Sequence, residues 1–89
     1  MKPTLKEYIE QNPLTRSSDP MKQYDETIFN LYECLDEIGF QGQMGYKDRR
    51  LLKDWLSTTG ESDKLITKLV RQALKHPHYS NQKSSSQKR

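Results

Sequence analysis

The stretch whose reading decides the fold is Asp19 to Gly39, DPMKQYDETIFNLYECLDEIG. Asp19 reads as a helix cap, because its carboxylate can accept from backbone donors that a first turn leaves unsatisfied. Pro20 suits the first helical position, where its missing N–H costs nothing, and Gly39 suits the left-handed residue just past the end. Between these signals Met21, Tyr24, Ile28, Leu31, Leu35 and Ile38 recur at spacings of 3, 4, 3, 4 and 3. That alternation places all six on one stripe of a single helix about 28 Å long. The stripe can face the core of a bundle, or it can serve as an interaction seam against a second copy of the chain or another partner. It spans fewer than the three to four heptads that argue for a coiled coil, so the core role comes first.

Towards the N-terminus, Thr4 and Glu7 form a Thr-x-x-Glu capping box, followed by Leu5, Tyr8 and Ile9 on one side. A short helix is expected from Thr4 to Asn12, stopped by Pro13, with a polar linker over Leu14 to Ser18. Residues 1–18 read as a loosely held arm. Towards the C-terminus, Gly39 to Tyr46 (GFQGQMGY) is a glycine-punctuated connection without periodicity. A helix from Asp48 to Thr58 carries Leu51, Leu52, Trp55 and Leu56 on one face and ends at Gly60. Ser62 caps a last helix, Asp63 to Lys75, whose Leu65, Ile66, Leu69, Val70, Ala73 and Leu74 form a broad apolar face, and Pro77 closes it. Strand signals are weak: there is one valine, the four isoleucines sit at helical spacing, and no run alternates. The expected fold class is all-α: a small bundle of three main helices plus a short N-terminal helix. The arm occupies 1–18, the helical core 19–76, and a disordered polar and basic tail 77–89.

With 89 residues there is room for one domain, and residues 20–75 hold 22 of the 28 apolar side chains, whereas the end SNQKSSSQKR holds none. So small a core leaves little margin over chain entropy, so cover from a partner or a homodimer is expected. The single cysteine, Cys34, cannot form an intramolecular disulfide, which favours an intracellular setting. The opening MKPTLKEYIEQNPL lacks an apolar signal core and carries Glu7 and Glu10, and nowhere do 18 apolar residues run together. A cytoplasmic protein without a membrane role is expected.

Charge is distributed unevenly. Residues 1–46 carry 4 basic and 8 acidic side chains, and residues 47–89 carry 11 and 4, so the halves are −4 and +7. On the last helix Lys64, Lys68, Arg71 and Lys75 fall within an arc of roughly 60° opposite the apolar face. Lys47, Arg49, Arg50 and Lys53 surround the start of the preceding helix, facing the positive end of its dipole with only Asp48 as local compensation. A bound phosphate or acidic group would relieve that crowding. Otherwise the eight cations are solvated, or paired with Asp25, Glu26, Glu33, Asp36 and Glu37 of the long helix. Lys83, Lys88 and Arg89 in the tail would add sequence-independent attraction for phosphate.

Catalytic and metal motifs are weak. The two last helices and Gly60 resemble a helix-turn-helix in spacing, but Glu61 after the turn and Leu56 before it depart from that pattern, so a plain αα-hairpin is expected. Ile38-Gly39-Phe40-Gln41-Gly42 resembles the loop of KH domains without the sheet those domains need. His76 and His78 lack a third ligand nearby, and Cys34 lacks a base. The expectation is therefore a non-enzymatic protein with no catalytic residue, cofactor, metal or small-molecule substrate. It would be a nucleic-acid-associated regulatory or accessory protein that contacts phosphates through Lys47, Arg49, Arg50, Lys53, Lys64, Lys68, Arg71 and Lys75. The alternative is an interaction module, an adaptor or small subunit docking an acidic protein through the long helix's stripe and the basic surface.

Overall fold

The computed structural model describes residues 1–76. The expected tail 77–89, with His78, Lys83, Lys88 and Arg89, lies outside the described residues. Four helices follow one another: α1 (Leu5–Gln11), α2 (Pro20–Glu37), α3 (Tyr46–Ser57) and α4 (Asp63–Lys75). The fold is an all-α bundle, and among the described residues no helix is long and apolar enough to cross a membrane.

The long helix is bounded as its sequence requires. The Asp19 carboxylate accepts from the Met21 N–H at 2.9 Å. At the other end Gly39 takes φ 69, its N–H reaches the Asp36 carbonyl at 3.1 Å, and the Phe40 N–H reaches the Leu35 carbonyl at 2.9 Å. These two bonds are the Schellman pattern, and they satisfy carbonyls that the helix end would otherwise leave open.

The stripe on α2 is divided by packing. Leu31 and Leu35 are 0% and 1% exposed, Ile28 and Ile38 are half-buried, and Met21 and Tyr24 stand in solvent, Met21 at 89%. The face that enters the core is Thr27, Leu31, Cys34 and Leu35. It is closed over by Leu5 of α1, Leu52, Trp55 and Leu56 of α3, and Ile66, Leu69, Val70 and Ala73 of α4. The stripe as a whole is therefore not an interaction seam, since its two central leucines already have partners within the chain.

The expectation of a loosely held arm is corrected. Leu5 is a core residue, and the Tyr8 ring meets Trp55 edge-on at 5.9 Å and 79°. The Trp55 indole N–H donates to the Asn12 carbonyl at 2.9 Å. The capping box forms in both directions, Glu7 N–H to the Thr4 hydroxyl at 3.1 Å and Thr4 N–H to the Glu7 carboxylate at 3.0 Å. Seven residues are too few for a stable isolated helix, so α1 owes its order to this docking.

α3 begins two residues before the expected Asp48, at Tyr46, with Gly45 as a cap that offers backbone only. Five residues, 58–62, then turn the chain into α4. Gly60 holds φ 106 in that turn, where a Cβ would also come within 2.9 Å of Gln23 Oε1. The Ser62 hydroxyl accepts from the Leu65 N–H at 3.2 Å and starts α4. The turn is tied down by Thr59, whose carbonyl accepts from the Ser17 N–H at 3.1 Å and whose buried hydroxyl lies 2.9 Å from that of Thr27.

Candidate anion-binding groove between α3 and α4

The α3–α4 hairpin buries one side of each helix, Leu52, Trp55 and Leu56 against Ile66, Leu69, Val70 and Ala73. The opposite sides are left to carry charge, and where the two helices meet at the surface they enclose an open groove of about 580 Å³. Arg49, Arg50 and Lys53 line it from α3, and Arg71 and Lys75 from α4. Thus the structure brings five of the eight expected cations into one concavity. Lys47, Lys64 and Lys68 are exposed but do not line it. Rotation does not divide the α4 cations, because all four share one arc of roughly 60°; they differ in position along the axis, Lys64 and Lys68 in the first half of α4 and Arg71 and Lys75 in the second.

The groove also has members that charge counting did not find. Tyr46 stands at the first position of α3, Val70 and Leu74 supply apolar floor, Thr67 adds a hydroxyl, and Asp54 and Asp63 supply two carboxylates. Five cations against two carboxylates leave a formal +3. The charge is graded along the hairpin, since Asp54 and Asp63 lie towards the turn whereas Arg49, Arg50, Arg71 and Lys75 lie towards the open end. Tyr46 had a readable signal, its position one turn before Arg50. The Arg50 guanidinium donates to its hydroxyl at 3.4 Å.

The cations are not locked onto acidic neighbours. Among the described residues none of the eight forms an ion pair. Asp25, Glu26, Glu33, Asp36 and Glu37 of α2 are all exposed, away from the groove. An anion entering the groove would therefore meet guanidinium and ammonium donors with no ion pair to break first, the one internal bond among the described residues being the 3.4 Å contact from Arg50 to the Tyr46 hydroxyl.

Other chemistry-bearing residues are held in structural roles. The Cys34 thiol is buried, and burial pushes its pKa up to about 12, which removes the thiolate that nucleophilic or ligand chemistry would need. The backbone N–H of His76 closes the end of α4 on the Gln72 carbonyl at 2.9 Å. A smaller crevice of about 350 Å³ between α2 and α4 holds Tyr24, Asp25, Ile28, Tyr32, Leu69, Gln72 and His76, a set without clustered charge. Among the described residues no three His, Cys, Asp or Glu side chains gather as a metal site. No family model, curated protein or solved structure matches the chain.

Proposed function

We propose that the chain is a non-enzymatic, nucleic-acid-associated protein of the regulatory or accessory kind, which holds phosphates in the α3–α4 groove. One observation carries the reading: Arg49, Arg50, Lys53, Arg71 and Lys75 converge from two helices on one open concavity and form no ion pair among the described residues. Three of the five are arginines, whose planar forks match phosphate oxygens two at a time. A cytoplasmic setting goes with this reading, supported by a sole cysteine that is buried and free.

The test is binding of labelled nucleic acid followed over a salt titration. Counterion release makes log K fall with log salt by about 0.9 per phosphate neutralised on a duplex and about 0.7 on a single strand. Changing Arg49, Arg50, Lys53, Arg71 and Lys75 together to Gln should weaken binding and remove up to about four units of slope. Changing Lys47, Lys64 and Lys68 to Gln should cost less of both. Absence of any retardation at low salt by the unmodified protein would overturn the proposal.

An interaction module is the second reading, and a different surface supports it. Met21, Tyr24 and Phe29 are exposed on α2, Phe29 at 64%. Capture of an acidic protein that survives nuclease treatment and is lost with Met21→Ser and Phe29→Ser would favour this reading.

A further inference from the structure

Among the described residues Tyr46 is the one aromatic that lines the groove, and it is 67% exposed. Its recorded partner is Arg50, which touches the hydroxyl at the ring's edge. Among the described residues no other ring or cation contact covers its faces. Exposing a large aromatic side chain forgoes the burial that most such rings obtain, and here the ring stands at the mouth of a cationic concavity floored by Val70 and Leu74.

We infer that the groove takes single-stranded nucleic acid, with a base stacked on Tyr46 and the flanking phosphates held by Arg49 and Arg50 on one side and Arg71 and Lys75 on the other. The inference rests on the proposed function and narrows it to a substrate class. In a duplex the base faces are already stacked on one another, so a tyrosine face has nothing to pair with unless a base leaves the stack. An unpaired strand offers base faces and phosphates together, which is the combination that a cationic groove with an aromatic platform fits. The carboxylates of Asp54 and Asp63 repel phosphate at the turn end and so steer the strand across the open end, where Tyr46 lies.

The experiment uses the full chain with labelled oligothymidylate, oligouridylate and a DNA duplex of equal length, by fluorescence anisotropy at low salt. The single strands should bind more tightly than the duplex. Tyr46→Ala should weaken single-strand binding by about 5- to 150-fold, as loss of one stacked base does, while Tyr46→Phe keeps it and the salt slope stays unchanged. Circular dichroism of each variant confirms that the helices persist, as an exposed position permits. If Tyr46→Ala leaves single-strand affinity within about twofold, or if the duplex binds better, the inference falls while the phosphate groove stands. If no nucleic acid binds the unmodified chain, both fall.

Discussion

Among the described residues Thr27 and Thr59 are the buried polar ones, and their two hydroxyls serve three contacts: to each other at 2.9 Å, to the Gln23 carbonyl at 2.8 Å and to the Leu56 carbonyl at 2.9 Å. Two protons cannot fill three bonds at once, so one hydroxyl donates across the interface while the other donates to its own helix. Cys34 poses a different problem. The folded chain keeps its thiol protonated up to about 12, whereas the unfolded chain gives up that proton near 9.0. The folded state therefore binds the proton more tightly, and the stability this contributes is intact below 9.0 and is lost as pH rises towards 12. Tyr8, raised by burial and then by Glu33, Cys34 and Glu37, acts in the same direction above 10.0. Urea unfolding should show stability falling from pH 9.0 upward, and Cys34→Ala should flatten that fall. An equally steep slope in the variant would count against the burial argument.

The caps of individual elements were legible because they are local: Thr4, Asp19, Gly39 and Ser62 each act within a few residues of the helix end they serve. The start of α3 was not, because Gly45 caps with an extended backbone (φ −71, ψ 170) and leaves no polar side chain to read. The docking of α1 was also invisible, since its bond from Trp55 to Asn12 spans 43 residues. Leu5 joins the core at 5% exposure, so Leu5→Ala should cost about 2–5 kcal/mol in chemical denaturation. An arm that merely rests on the surface would lose under about 0.5 kcal/mol. The groove was half legible for a related reason. Helical periodicity sorts cations around each axis, but which of them meet depends on how α3 and α4 are rotated against each other. Long-range packing of Leu52 and Leu56 against Ile66 and Val70 sets that rotation.

Across the whole molecule the two signs of charge are kept apart, acid along α2 and base along α3 and α4, so an approaching polyanion meets a directed field although the net charge is only +3. Core closure within one chain also bears on association. With Leu31 and Leu35 enclosed, and Met21, Tyr24 and Phe29 separated by Lys22, Asp25 and Glu26, α2 offers a second copy no continuous apolar face. Sedimentation should give a monomer, and the melting temperature should not depend on protein concentration; a rise with concentration would show that the core needs a second copy. Trp55 lies nine residues after Tyr46, about half a revolution around α3, and is buried with its indole N–H on α1. As the sole tryptophan, its emission reports on the contact between the first helix and α3, on the side of α3 away from Tyr46. A ligand that fills the groove and leaves α1 docked should leave that emission unchanged.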